Sequence, residues 1–394
     1  MKPIRILVFS STFGAGHIRA AEAIIESLQK FEPTLEIIHL DFMTMISKLL
    51  NLLIRNSYIW IIKHLPKLWG KIYEKTEKIT SDSIVQRFFN TLGHKEFAQF
   101  INHIKPDVIV CTYPTIAGIL AQLKRNGIFN TPLITVVTDY TAHNQWIHPG
   151  VDLYLVGCKE IYEGLISRGV DPAQIYISGI PVRRKFERNL ARGKILTKLN
   201  LRSDLPTILI MGGAYGVLGK IKLFQRILSN AEHPVQAIIV CGKNRRLYDS
   251  LDQLVKKSIS SIVRLEFVEN IDELMTVADV IVTKAGGLTV SEALTKSLPM
   301  LIYKPIPGQE EGNALYIQKI GAGKAIYSEA ELEKTLDELI MSPEKVKMLR
   351  QFAQAVAPRN SADQAAQAIL KQCRYQFDEI RIKEELASKN KFYA

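Results

Sequence analysis

Short apolar runs rich in Ile, Val and Leu alternate along the chain with longer segments of helical periodicity. Such runs are typical of parallel strands that are covered by helices on both faces of a sheet. The first predicted strands are Ile4–Ser10, Leu35–Leu40, Val108–Cys111, Leu133–Val137 and Leu153–Val156. The pattern then restarts with Thr207–Met211, Gln236–Cys241, Leu265–Val268, Val280–Thr283 and Met300–Tyr303.

Each set of strands opens with one that runs into a glycine-rich loop and a helix, which predicts an α/β protein with two Rossmann-like domains. A chain of 394 residues is long enough for two cores. The predicted domains are 1–178 and 183–360, and the helical segment 361–394 is expected to pack back on the first.

The net charge alone does not identify a binding partner. The formal net charge of +12 is compatible with nucleic acid, an anionic membrane or a phosphate-rich substrate. The sequence contains no recognised nucleic-acid-binding motif, and its basic residues are spread over both halves, so we expect no nucleic-acid partner. The oligomeric state stays open.

The amino-terminal residues predict a buried strand and lack the features of a signal peptide, so we expect a cytoplasmic protein. The four cysteines are far apart in sequence and are predicted to be reduced and buried. Lys48, Arg55 and Lys63 interrupt the most hydrophobic region, which is therefore too short to span a bilayer. Any membrane contact is expected to be peripheral.

The first chemical motif is Gly14-Ala15-Gly16-His17, which follows the opening strand and begins a helix. Glycines permit a tight turn there, and the helix start offers free N–H groups to an anion. His17 is then expected at the carboxyl edge of the sheet, where open α/β folds bind ligands.

Two other interpretations of this motif remain open. Asp41 ends the second predicted strand, where a dinucleotide-binding protein places its ribose-binding acid, but Arg19 replaces the third glycine of that fingerprint. His17 also fits a solvated residue at the start of a helix.

The second motif, Met211–Gly219, also lies between a strand and a helix, and its backbone amides can approach a phosphate closely. It lacks the Lys-Ser/Thr ending of a Walker loop, which argues against ATP hydrolysis. A tight turn without a ligand is the alternative.

The third motif, Ala278–Ala293 followed by Pro307–Asn313, is the most specific. A strand ends at Thr283, a glycine pair turns the chain, and the next helix can point its amino end at a diphosphate. Glu292 lies one turn into that helix, where its carboxylate can accept hydrogen bonds from a ribose. The polar run up to Asn313 suits a sugar.

Together, these motifs resemble the diacylglycerol glycosyltransferases, which include bacterial processive diacylglycerol glucosyltransferases and plant monogalactosyldiacylglycerol synthases. The resemblance extends over roughly Ile4 to Asn313. It implies a GT-B fold, an inverting and metal-independent mechanism without a cofactor, a UDP-hexose donor in the second domain and a lipid acceptor in the first. The implied donor-binding residues are Gly212, Gly213, Gly286, Gly287, Leu288, Thr289, Glu292, Gln309, Glu310, Glu311 and Asn313.

The segment Thr138–Pro149 also resembles that family's segment at the cleft. His17 is the predicted general base, and Asp139 and His143 are predicted to orient the acceptor or assist the base. Loop residues that bond only to the backbone are the alternative for the polar side chains. Gly16, Trp146 and His148 are assigned to the acceptor site.

The segment Met45–Lys78 carries seven Lys or Arg residues and two Glu residues among many apolar and aromatic side chains. This pattern indicates a helix at the surface of an anionic membrane, and a core helix is the alternative. The residues assigned to membrane contact are Arg55, Trp60, Lys63 and Trp69.

The sequence thus predicts a hexosyltransferase at the cytoplasmic face of the membrane that uses a UDP-hexose and diacylglycerol. Glucose is the expected hexose by analogy with the bacterial members. A UDP-galactose-dependent synthase, a peptidoglycan-lipid N-acetylglucosaminyltransferase, a soluble UDP-sugar epimerase and a non-catalytic sugar-nucleotide binder remain alternatives.

Overall fold

The computed structural model describes residues 3–12, 14–45, 60–61, 64–79, 83, 91, 93–212, 228, 234–258 and 260–373. The chain divides into two compact units. Unit 1 comprises Met1–Arg183 together with Asn360–Ala394, and unit 2 comprises Arg184–Arg359.

Unit 1 is built on a parallel six-stranded sheet with strand order β2-β1-β3-β4-β5-β6. Its central strands are buried on both faces because helices cover them, and they consist almost entirely of apolar residues. The strands are β1 Arg5–Ser10, β2 Glu36–Asp41, β3 Val108–Cys111, β4 Leu133–Val136, β5 Leu153–Val156 and β6 Ile175–Ile177.

The helices of unit 1 bury one face each against this sheet or against one another. They are α1 Ala15–Phe31, α2 Pro66–Glu77, α3 His94–Ile104, α4 Pro114–Arg125 and α5 Lys159–Ile166. Short 3₁₀ turns lie at Phe42–Thr44, Asn144–Trp146 and Pro172–Gln174.

The last described helix, 361–373, belongs to the core of unit 1 although it lies at the far end of the sequence. Its buried residues Ala365, Ile369 and Cys373 pack with apolar residues of α1 and the central strands. Lys30 of α1 also forms an ion pair with Asp363 at 2.7 Å. The chain therefore closes unit 1 only after it has completed unit 2.

Unit 2 repeats the architecture with a second parallel six-stranded sheet, of order β12-β11-β10-β7-β8-β9. Its strands are β7 Thr207–Met211, β8 Gln236–Val240, β9 Ser261–Leu265, β10 Val280–Thr283, β11 Met300–Tyr303 and β12 Gly323–Ile326.

The helices of unit 2 cover its sheet in the same way. They are α6 Arg192–Lys198, α7 Arg245–Ser250, α8 Asp252–Lys257, α9 Ile271–Val277, α10 Gly287–Thr295, α11 Gln309–Lys319, α12 Glu329–Met341 and α13 Pro343–Val356. A 3₁₀ turn lies at Arg184–Glu187.

The differences from the predicted strands lie at the sheet edges. Strands β6 and β12 were not predicted, and the predicted strand Leu265–Val268 was wrong, since β9 ends at Leu265. Each of these strands borders a sheet and pairs on one side only. Edge strands are short and half-exposed, so they lack the continuous apolar run that marks a central strand.

Within the described residues, no helix combines the length and the apolar character that crossing a membrane requires.

Candidate functional site

The first candidate site lies at the carboxyl edge of the unit 1 sheet, where β1 ends and α1 begins. Gly14, at the start of α1, has a positive φ of 106°, a backbone conformation that residues with a Cβ rarely adopt. The tight turn places His17 in the first turn of α1, beside the chain that leaves the neighbouring strand β3.

Two neighbouring residues fix the imidazole ring of His17. Its Nδ1 lies 2.8 Å from the carbonyl oxygen of Thr112 and 3.0 Å from the hydroxyl of Thr138. A carbonyl oxygen can only accept a hydrogen bond, so Nδ1 carries the ring proton and donates it. The lone pair of the neutral ring is therefore on Nε2, the nitrogen that can receive a proton.

The surroundings of His17 are apolar and aromatic. The rings of His17 and Tyr113 pack edge to face with centroids 4.9 Å apart, and the Trp146 ring lies 6.4 Å away. Burial disfavours the imidazolium and lowers the pKa of His17 to about 4, although the bond to Thr112 opposes the shift. The ring is thus neutral at physiological pH.

Asp139 holds the tryptophan that neighbours His17. Its Oδ2 accepts a hydrogen bond from Nε1 of Trp146 at 3.1 Å, and both side chains are buried. Asp139 therefore fixes the orientation of an aromatic ring that borders the histidine.

His143 uses both of its ring nitrogens on the backbone. Nδ1 accepts a hydrogen bond from the Gln145 N–H at 3.1 Å, so Nε2 carries the proton and donates to the Tyr73 carbonyl at 3.2 Å. This is the backbone-bonding arrangement that the sequence left open for this loop. His148 is 3% exposed, and burial lowers its pKa to about 4.

The described part of the predicted membrane segment presents large apolar side chains to solvent. Trp60 is 54% exposed and Leu68 is 45% exposed. Trp69 is partly buried. Arg55 and Lys63, the other two residues assigned to membrane contact, lie outside the described residues.

The second candidate site lies at the carboxyl edge of the unit 2 sheet, where β10 leads into α10. Gly286 is the N-cap residue of α10 and has no side chain that could cap the backbone N–H groups of the first turn. A Cβ built on Gly286 meets no atom within 4 Å, so the space above the helix start is open. This end of α10 can receive an anion through its backbone N–H groups.

Two partly buried charged side chains bond the adjacent loop after β11. The ammonium of Lys284 donates to the carbonyl of Lys304, and Oε2 of Glu310 accepts from the Ile306 N–H at 2.9 Å. Burial raises the pKa of Glu310 and lowers that of Lys284. Glu310 thereby shapes the loop that precedes α11.

Asn313 joins the two loops of this site. Its side chain is fully buried, and its Nδ2 donates to the carbonyl oxygen of Ala285 at 2.9 Å. This bond fixes the residue immediately before Gly286. Thr289, Glu292, Gln309 and Glu311 are partly buried along the same two helices.

Four further residues are predicted to bind the donor: Gly212, Gly213, Gly287 and Leu288. Gly287 and Leu288 form the first turn of α10, and Gly212 follows β7 at the same edge of the sheet. Gly213 lies outside the described residues. In unit 2, the residues of the third motif therefore lie close together, on the paired strands β10 and β11 and on the helices that follow them.

Sequence reasoning missed several residues that shape these sites. Thr112 acts through its backbone oxygen, and Lys284 bonds the carbonyl of Lys304. Phe267 follows β9 at the same edge as α10, is 46% exposed and has the Lys243 ammonium 5.9 Å from its ring centroid. The predicted strand Leu265–Val268 contained Phe267, so the sequence did not suggest Phe267 as a site residue.

Solved structures define the class of this fold. MurG of Acinetobacter baumannii matches with a TM-score of 0.64 and 15% identity over 94% of this chain and 100% of that chain. TcCGT1 in complex with UDP matches with a TM-score of 0.60 and 13% identity over 94% and 100% of the chains. The predicted α/β, GT-B-type fold of a glycosyltransferase is confirmed.

Sequence comparisons identify the family. The model of monogalactosyldiacylglycerol (MGDG) synthase matches residues 17–182, and that of the glycosyltransferase family 28 C-terminal domain matches residues 207–373. Processive diacylglycerol beta-glucosyltransferases of Bacillus cereus and Bacillus licheniformis are 32% and 30% identical, over 94% and 93% of this chain and 94% of each relative. The chain belongs to the diacylglycerol glycosyltransferase family, as its motifs predict.

Proposed function

We propose that this glycosyltransferase moves glucose from UDP-glucose to the free hydroxyl of diacylglycerol at the cytoplasmic face of the membrane, with inversion and without a metal or cofactor. The names of the relatives support the acceptor and the hexose. The MGDG synthase model on unit 1 supports lipid binding by that unit.

The single observation that carries the proposal is the fixed tautomer of His17. Because Nδ1 donates to the Thr112 carbonyl, Nε2 is left as a basic nitrogen at the carboxyl edge of the unit 1 sheet. A depressed pKa keeps that nitrogen unprotonated at neutral pH. A general base needs this combination of fixed geometry and free lone pair.

In the proposed step, the lipid hydroxyl oxygen attacks the anomeric carbon of glucose from the face opposite UDP. The new carbon–oxygen bond forms as the bond to the β-phosphate oxygen breaks, and the hydroxyl proton passes to Nε2 of His17. One displacement of this kind inverts the anomeric carbon. The Thr112 carbonyl stabilises the imidazolium that results, since it already accepts from Nδ1.

Unit 2 supplies the groups that suit UDP. The amino end of α10 favours the negative charge that builds up on the diphosphate as the sugar leaves. Glu292 is proposed to accept hydrogen bonds from the ribose. Exposed Phe267 offers a face on which the uracil can stack. Gln309 and Glu311 remain the candidates for contact with the hexose, while Glu310 holds the loop.

The helix α2 is proposed to hold unit 1 to the bilayer. Leu65, Leu68 and Ile72 are 42%, 45% and 36% exposed and recur at helical spacing, so they form one apolar strip. Lysines run alongside this strip and suit an anionic leaflet.

Incubation of the purified protein with UDP-glucose and vesicles that contain diacylglycerol tests the proposal. We expect a β-linked glycolipid, identified by mass and by the anomeric proton coupling, with turnover unchanged by EDTA. UDP-galactose, UDP-N-acetylglucosamine and vesicles without diacylglycerol serve as comparisons. Formation of a free epimerised nucleotide sugar, or UDP-sugar binding without any product, would contradict the proposal.

A further inference from the structure

We propose that His143 is a positioning residue that couples the binding of α2 to an anionic bilayer with the placement of Trp146 beside His17. The bilayer then activates the enzyme in addition to supplying the acceptor. This inference rests on the proposed function for its catalytic consequence, but its structural part can be tested without any substrate.

The 3₁₀ turn Asn144–Trp146, together with His143, is fastened to the carboxyl-terminal half of α2. Nε2 of His143 donates to the Tyr73 carbonyl at 3.2 Å, and the rings of these two residues lie 4.3 Å apart. The side chain of Asn144 donates to the Glu77 carbonyl. These bonds attach a single short turn to successive turns of one helix.

The same short turn also reaches the catalytic histidine. Trp146 is 2% exposed, is held by Asp139 and has its ring 6.4 Å from that of His17. A shift of α2 away from His143 and Asn144 therefore frees the turn that carries Trp146. The link from helix to histidine consists of contacts within unit 1.

The outer surface of α2 is suited to a bilayer rather than to the interior of the protein. On the inner side of this helix, Gly70 is buried and Trp69 and Tyr73 are partly buried. An exposed apolar strip runs along its outside, and beside it the lysines recur at intervals of four, four and three residues. These lysines are Lys67, Lys71, Lys75 and Lys78.

The physical basis of the coupling is the apolar area that α2 buries when it meets a bilayer. In solution, the apolar strip of α2 faces water, so this side of the helix adds nothing to its stability and local opening is easier than on a bilayer. On an anionic bilayer, the strip is buried and the lysines face phosphate groups, which orders the helix. An α2 that is already ordered can bond His143 and Asn144 with a smaller loss of conformational entropy.

Hydrogen exchange can test the structural link directly. The Gln145 amide bonds to His143 Nδ1, the Trp146 amide to the His143 carbonyl, and the Ile147 amide to the Asn144 carbonyl. Exchange of these amides reports opening of the turn. We expect vesicles of phosphatidylglycerol and phosphatidylcholine, without diacylglycerol or nucleotide, to slow it by about fivefold or more.

Two variants and a matched control make this test specific. His143→Ala and Asn144→Ala each remove one bond to α2, and both should lose the vesicle effect; Asn144→Ala keeps the His143 ring if the first variant folds poorly. His103→Ala replaces an exposed histidine on α3 and should respond like the wild type. Unchanged exchange in vesicle-bound wild type, or a full vesicle effect in both variants, would overturn the coupling.

The catalytic consequence has a separate measurement. With dioctanoylglycerol dissolved below its aggregation concentration, anionic vesicles should raise kcat of the wild type about fivefold and leave KM for UDP-glucose nearly unchanged. Asn144→Ala should show no such rise. A wild type that transfers no sugar but still shows slower exchange on vesicles would contradict the proposed function and support the link between α2 and the turn.

Discussion

The carboxyl edges of the two sheets have the same architecture and opposite chemistry. In unit 1, the helix that follows β1 carries His17, whose proton is fixed by a backbone carbonyl and whose ring lies against aromatic side chains. In unit 2, the helix that follows β10 starts with glycine and leaves its amino end open. We propose that the first edge accepts a proton and that the second holds an anion.

The difference predicts a division of roles in the proposed transfer. Desolvation lowers the basicity of a partly buried imidazole, whereas the partial charge of a helix amino end does not titrate. Variants at the two edges should therefore fail in different ways, and the following predictions test that separation.

The largest effect is expected at His17. His17→Ala should lower kcat by about 10²- to 10⁴-fold because it removes the proposed general base. UDP affinity, measured by calorimetry, should stay within about twofold of the wild type. Near-normal turnover would remove His17 from the role of base, and His103→Ala serves as the control on an exposed histidine.

Glu292→Ala should show the opposite behaviour. Loss of a charged acceptor for the ribose hydroxyls corresponds to about 1.5–3 kcal/mol, so UDP should bind roughly 10- to 100-fold more weakly. At saturating UDP-glucose, kcat should fall far less than in His17→Ala. Calorimetry with UDP alone gives the answer, and an unchanged Kd would exclude Glu292 from the ribose site.

Gly286→Ala is a milder test of the anion site. Gly286 has φ of −64°, and an added Cβ meets no atom within 4 Å, so the folded protein should be as stable as the wild type. If a diphosphate lies over the start of α10, the methyl group should weaken UDP binding by about tenfold, a loss of ~1.4 kcal/mol.

Gly193→Ala provides the matched control in the same unit, because its Cβ also meets no atom. Both variants should keep the wild-type melting temperature, and only Gly286→Ala should lose affinity for UDP. Equal affinities in the two variants would place the diphosphate elsewhere.

The smallest effect is expected from acid pH. With the pKa of His17 near 4, kcat/KM should change by less than about twofold between pH 7 and 5.5, whereas for an ordinary imidazole of pKa ~6.5 it would fall about tenfold.

The lowered pKa of His17 also affects folding stability. As the pH falls, this histidine is protonated in the unfolded chain before it is protonated in the folded protein, so the free energy of unfolding should decrease from pH ~6.5 towards 4. Circular dichroism at each pH separates the two effects, and an acid limb near pH 6.5 would contradict the assigned environment.

The central strands and the third motif can be recognised in the sequence for a physical reason. A parallel strand that is buried on both faces needs a continuous apolar run, and a glycine pair favours a tight turn after it, so Val280–Thr283 and Gly286 are marked locally. The family followed from the same residues. Edge strands such as β6 and β12 carry no such mark.

Only the tertiary structure shows which polar side chains bond to the protein framework. Glu310 and Asn313 are polar residues in the third motif, yet the first bonds the Ile306 N–H and the second the Ala285 carbonyl. The tautomer of His17 depends on Thr112, which lies 95 residues away in the chain. Sequence determines the residue types and local turns, whereas the direction of a hydrogen bond depends on atoms that only folding brings together.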